Sequence, residues 1–237
     1  MRDMIRLGQV EPVRKRVADA TQLLLGDTIM LGETEWREPT ILPGWTRAMV
    51  ATHLARSADA MREVILGVVE ERGEVAYPDE AQRLAELERG AARSGLELQI
   101  DLDTSAGALG EGFGLVSDWQ APVRLPLGQF PASAVVVARF HEVVLHHLDL
   151  NVGFGLDRVD TVSASWLLQW AALWLRTSPH QPAVEIASES GVHETIGDLG
   201  PVRTVTGSDS ELWGWLTGRA DGATLEGANG LTWPLLG

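Results

Sequence analysis

The chain has 237 residues, 45% hydrophobic and 22% charged, enough for one large domain or two small ones, each with its own core. A formal net charge of −14 leaves no basic surface for nucleic acid, and the run Arg14-Lys15-Arg16 reads as the solvated face of a helix. The absence of cysteine excludes disulfides, thiolate metal sites and a protein-borne thiol nucleophile.

The amino-terminal segment lacks the apolar core of a signal peptide, and no run approaches the roughly 20 apolar residues that cross a bilayer. These features predict a cytoplasmic protein with no membrane partner. Almost all of the 19 basic residues are arginine, and Ala, Gly, Leu and Val are abundant, the usage of a high-GC, actinobacterial type of source.

In chain order, helical periodicity over residues 10–25 stops at Gly26. A second helix runs over 46–71, with Thr46 as N-cap after the Pro43-Gly44 turn and Val50, Leu54, Ala58, Met61, Ile65 and Val68 on one face. Pro78, Asp79 and Glu80 suit the first turn of a third helix through 81–92, and a further helical stretch extends toward Trp119. Prolines and a glycine break 124–131 into a short hairpin or loop, and a long apolar helix then covers 132–150. Four long helices with short links make a bundle over residues 1–155.

From residue 156 to 237 the pattern changes. A Trp-rich helix at 163–176 precedes β-type runs at 183–188, 193–196 and 202–206. Ser208 or Asp209 caps a helix through Gly218, and 223–226 reads as a last strand. The fold class is therefore α+β: an N-terminal helical bundle followed by a small α+β domain. Trp166, Trp170, Trp174, Trp213 and Trp215 read as core of the second domain, and Trp45 as the pin of its turn.

The helix at 132–150 carries the chemistry. Arg139, Glu142, His146 and Asp149 follow one another at spacings of three, four and three, on one helical face, while most of the remaining circumference is apolar. The same spacing describes the solvent face of any amphipathic helix. Two features favour a site: so apolar a helix belongs at the centre of its bundle, and buried polar groups need partners that a cation supplies economically. His53, alone, reads as a core histidine; on a facing helix it converges with Glu142 and His146 on one point. Three N/O ligands leave positions open, the catalytic pattern for zinc, and the set also suits other divalent metals. Asp149 is placed either to orient an imidazole or at a solvated helix end; His147 points off the stripe and reads as structural. His180 and His193 carry no signal.

The segments Leu42-Pro43-Gly44-Trp45-Thr46-Arg47, His53-Leu54-Ala55-Arg56, Arg139-x-x-Glu142-x-x-x-His146-His147-x-Asp149-Leu150 and Leu212-Trp-Gly-Trp-Leu-Thr-Gly218-Arg219-Ala-Asp221-Gly222 resemble the mycothiol-dependent maleylpyruvate isomerase family along nearly the whole chain. That resemblance implies a DinB-like four-helix metal-binding bundle joined to a small α+β domain. It places zinc, or another divalent metal, on His53, Glu142 and His146, and gives Arg219 the role of the family's functional C-terminal arginine, binding a substrate carboxylate. Without the resemblance, Arg219 is a charge at a helix C-terminus. His141 departs from the arginine that a related sequence carries there, which leaves the substrate open.

The implied partners are a small-molecule substrate and a low-molecular-weight thiol, mycothiol, acting on a monomer or weak homodimer. The implied reaction is a metal-dependent cis-trans isomerisation of maleylpyruvate to fumarylpyruvate by thiolate addition, rotation and elimination. A mycothiol S-transferase acting on another electrophile, and a non-catalytic metal- or ligand-binding bundle, are the alternatives.

Overall fold

A computed structural model describes residues 10–72, 80–177 and 180–236. The amino-terminal segment and the Pro78-Asp79 pair read above lie outside the described residues. The described residues divide into two units, one up to residue 154 and one from residue 155 onward.

In the first unit, helices α1 (Val10–Thr28), α3 (Arg47–Val69), α5 (Gly95–Leu115) and α6 (Ser133–Leu150) pack on one another: α1 on α5 and α6, and α3 on α5 and α6. Two smaller helices decorate them, α2 (Glu33–Trp36) and α4 (Glu80–Ala91), the latter against α3. The four-helix bundle is as expected, but its members differ in one respect. The stretch read as a helix near 81–92 with a continuation toward Trp119 is two helices, separated by Ser94, and only the second joins the bundle. Ser94 accepts from the backbone N–H of Glu97, and Glu97 returns a bond to the backbone N–H of Ser94, so a capping box starts a new helix there. Helix α1 also passes Gly26 without ending, because glycine inside a packed helix costs only about 1 kcal/mol.

Strands β1 (Pro122–Leu125) and β2 (Gly128–Pro131) form the antiparallel hairpin that leads into α6. Sixteen of the 18 residues of α6 are buried; only Glu142 and Leu148 are less than fully so. That decides between the two readings of its polar stripe. Arg139, His146 and Asp149 are 2%, 1% and 0% exposed, so the stripe faces protein and not water.

Entry into α3 is fixed by the Leu42-Pro-Gly-Trp turn. Trp45 N–H donates to the Leu42 carbonyl at 3.0 Å, and Gly44 holds φ +80°, the left-handed conformation that the third position of such a turn requires. Thr46 then caps α3, its hydroxyl accepting from Met49 N–H at 3.3 Å. Arg47, one residue on, ties the start of α3 to the end of α6. Its buried guanidinium donates to the carbonyls of Leu150 (2.7 Å) and Asn151 (3.2 Å), and to the Glu38 carboxylate at 2.5 Å. Arg47→Met should strip the last turn of α6 of these donors and destabilise the protein by about 3 kcal/mol. Urea denaturation checks this, and a midpoint equal to that of the parent protein would contradict it.

The second unit begins with a single 3-10 turn, Leu156–Arg158, followed by α7 (Thr161–Thr177). A three-stranded sheet in the order β4-β3-β5 follows, with β3 (Pro182–Ser188) antiparallel to β4 (His193–Ile196) and parallel to β5 (Leu199–Gly207). Helix α8 (Asp209–Leu216) is capped by Ser208 in a capping box with Glu211 and packs on α7. Trp170, Trp213 and Trp215 are buried in this unit, whereas Trp166 and Trp174 are half-buried. Residues 223–226 are not a strand: Glu226 makes one bridge to Thr206, and the adjoining Gly227, at φ +82°, turns the chain away. Among the described residues, no helix is long and apolar enough to cross a membrane.

Candidate metal centre

Helices α3 and α6 bring His53, Glu142 and His146 together, one ligand atom from each lying within 4.8 Å of the others. His53 Nε2 is 3.0 Å from Glu142 Oε2, and His146 Nε2 is 3.7 Å from the same oxygen. The two imidazoles meet edge to face, with centroids 4.6 Å apart. Donors about 2.0–2.2 Å from a tetrahedral zinc lie at comparable separations from one another.

The surroundings assign the protons. Asp149, fully buried, takes a hydrogen bond from His146 Nδ1 at 2.8 Å. In a neutral ring the lone pair is then on Nε2, and this buried atom has no hydrogen-bond partner. A buried, unsatisfied acceptor aimed at a carboxylate and a second imidazole is what a divalent cation satisfies. The donor set therefore fits the metal on the structure's own terms. It also settles Asp149, which orients an imidazole and is not a solvated helix end. Asp149→Asn preserves shape but removes the charge, and should weaken zinc binding about tenfold or more. Competition with a chelator measures this; an unchanged dissociation constant would contradict it.

Burial pushes the Glu142 carboxyl up, but the hydrogen bond from His53 and the charges of His53, His146 and His141 outweigh it and hold the group well below the usual carboxylate range. These interactions favour the ionised form of Glu142, the form that a metal-binding carboxylate requires. Ser57 contributes a further hydrogen bond, Oγ donating to Glu142 Oε2 at 3.3 Å. Sequence reading missed Ser57, although its place one helical turn after His53 puts it on the same face. Trp45 stands edge-on to the His53 ring at 5.6 Å, so the turn that it pins also walls this imidazole.

Not every polar residue of the α6 neighbourhood belongs to the cluster. His147 stacks on Phe154 at 4.1 Å and lies 3.2 Å from the Asp27 carboxylate, a structural arrangement. Arg139 donates through Nη1 to the Leu54 carbonyl at 2.8 Å. Burial pushes its guanidinium down to about 10, against the pull of Glu142 and Asp59. Arg219 lies in the other unit, just past α8. Its N–H donates to Gly214 at 2.7 Å and the Gly218 N–H to Trp215 at 3.0 Å, closing the helix over Gly218 at φ +76°. The Arg219 guanidinium donates to the carbonyls of Thr217 and Leu236.

Two imidazoles and a carboxylate converging from facing helices form a cluster of the type that can hold a divalent cation in a helix bundle. The chain matches the model of the mycothiol maleylpyruvate isomerase N-terminal domain over residues 17–151, more than half of its length, and it belongs to that family. Its fold is that of the crystal structure of the mycothiol-dependent maleylpyruvate isomerase, with a TM-score of 0.85 and 20% identity over 96% of this chain and 97% of that one. A histidine-to-alanine variant of the mycothiol-dependent maleylpyruvate isomerase superposes equally well, with a TM-score of 0.86 and 19% identity over 96% and 97% of the two chains. No curated protein matches the chain.

Proposed function

We propose that the protein is a zinc- and mycothiol-dependent isomerase that converts maleylpyruvate to fumarylpyruvate. The observation that carries the metal dependence is the partnerless, buried Nε2 of His146 facing Glu142 and His53. Family membership supports the thiol, and the absence of cysteine requires any sulfur nucleophile to arrive from outside.

A divalent cation held by His53, Glu142 and His146 would supply Lewis acidity that favours the thiolate form of a thiol at neutral pH. The reaction itself is an addition and its reversal. The mycothiol sulfur forms a bond to one carbon of the cis double bond, and the π electrons move onto the adjoining carbonyl as an enolate. Rotation about the resulting single bond follows. The enolate electrons then re-form the double bond in the trans geometry as the carbon–sulfur bond breaks and thiol is returned.

The chain's own residues divide the work. Asp149 holds the Nδ1 proton of His146, leaving Nε2 as a ligand. Ser57 fixes the Glu142 oxygen, and Trp45 walls His53. Arg219 binds a substrate carboxylate and stabilises enolate charge, the role that the family resemblance gives it.

Thiol accounting separates this reading from that of an S-transferase, for which the same metal site would serve. Incubated with maleylpyruvate and mycothiol, the protein should yield fumarylpyruvate with all of the thiol recovered. Stoichiometric loss of thiol, with a conjugate formed, would overturn the isomerase assignment in favour of transfer.

A further inference from the structure

A cavity lies in the first unit, and none of the three candidate metal ligands lines it. It has a volume of about 410 Å³ and runs between α1 and α5 with Arg139 of α6 in its lining. Helix α5 opens it by sequence: Gly107 and Gly110 fall on the same helical face, and a Cβ built on either meets nothing within 4 Å. Two missing side chains leave a groove against α1, walled on its apolar side by Val17, Leu109 and Phe113.

Small residues alone would make only a gap. The lining, however, carries two unsatisfied buried polar atoms. Arg139, 2% exposed, spends Nη1 on the Leu54 carbonyl but has no partner at Nε. Thr21 Oγ1 on α1 is likewise without one. Arg139 feels the charges of Glu142 and Asp59 but makes no hydrogen bond to either, whereas Arg14 pairs directly with Glu11 at 2.6 Å and Lys15 with Asp19 at 2.7 Å. A buried guanidinium donor and a hydroxyl at an apolar groove are complementary to one negative charge on a hydrophobic body. Glu11 and Asp103, which also line the cavity, disfavour a ligand of higher charge such as a phosphate dianion.

We propose that this cavity is a binding site for a monocarboxylate with an apolar chain, its carboxylate on Arg139 and Thr21 and its hydrocarbon against Val17, Leu109 and Phe113. The site is independent of the isomerase assignment, since its residues are none of the three candidate ligands nor Arg219.

Octanoate serves as the probe, with octanol and inorganic phosphate as comparisons, in calorimetric titrations of the zinc-loaded full chain. Saturable binding of octanoate is expected, at least tenfold tighter than that of either comparison. Arg139→Met should abolish the preference for octanoate over octanol. Gly110→Leu fills the groove and favours the helix, so it should remove octanoate binding from a folded protein whose metal content is unchanged. The proposal is overturned if octanol binds as tightly as octanoate, if phosphate displaces octanoate, if the parent protein shows no saturable binding, or if Gly110→Leu binds octanoate normally. That last result would place the fatty acid elsewhere, the metal centre included.

Discussion

His53→Ala is expected to abolish zinc binding and thiol-dependent turnover together while leaving the fold intact. The half-buried His53 would supply one of the three ligand atoms proposed, and its loss leaves Glu142 still bonded to Ser57. Two remaining donors on one helix hold zinc far more weakly, and turnover should drop by about a thousandfold or more, the scale on which loss of an electrostatic catalyst is felt. His146→Ala loses metal and activity too, but carries a second penalty. Asp149, 0% exposed, would lose its 2.8 Å bond to the imidazole, and loss of a hydrogen bond to a buried charged group costs about 1.5–3 kcal/mol. The pair therefore separates chemistry from folding: equal loss of activity, with a lower melting temperature for His146→Ala. Elemental analysis with thermal melts reads both, and full zinc occupancy in either variant would contradict the ligand assignment.

Arg219→Ala is expected to do the converse, retaining zinc and losing turnover. The guanidinium bonds to Thr217 and Leu236 carbonyls, so removing it also loosens the end of α8, by about 1–2 kcal/mol. A merely structural arginine would show that stability loss with turnover near normal once the protein is folded. An arginine that binds substrate carboxylate and enolate charge should cost about 10²–10³-fold in turnover at temperatures well below melting. Comparison of kcat and KM with the thermal midpoint distinguishes the two, and unchanged kinetics would remove Arg219 from the mechanism.

The buried polar stripe was legible in the sequence because α6 breaks a rule that most helices obey. An apolar circumference leaves no solvent face, so Arg139, Glu142, His146 and Asp149 had to be inside, and their spacing put them on one line. What sequence could not rank was the function of each. Asp149 as an orienting group depends on a 2.8 Å contact, and Ser57 depends on the facing of α3 and α6, neither of which is set by local periodicity. Thr46 and Ser208 were legible as caps because a cap is a local event, whereas the capping box at Ser94 and Glu97 was passed over within a longer helical run. The segment at 223–226 failed for the opposite reason: its residues suit a strand, but Gly227 and a lone bridge to Thr206 give it no partner along its length.

Gly107 and Gly110 mark another limit. In sequence they are two weak helix positions; only the packing of α1 against α5 and α6 turns them into an opening with Arg139 in its lining.

The proposed mechanism requires His53, Glu142 and His146 to hold a metal on which thiol-dependent isomerisation depends. The most direct measurement follows maleylpyruvate turnover in the presence of mycothiol for one preparation in three states: as purified, stripped by chelator, and reloaded with zinc. Activity should vanish on stripping and return on reloading, in proportion to bound zinc. Full turnover by protein shown to be metal-free would contradict the account.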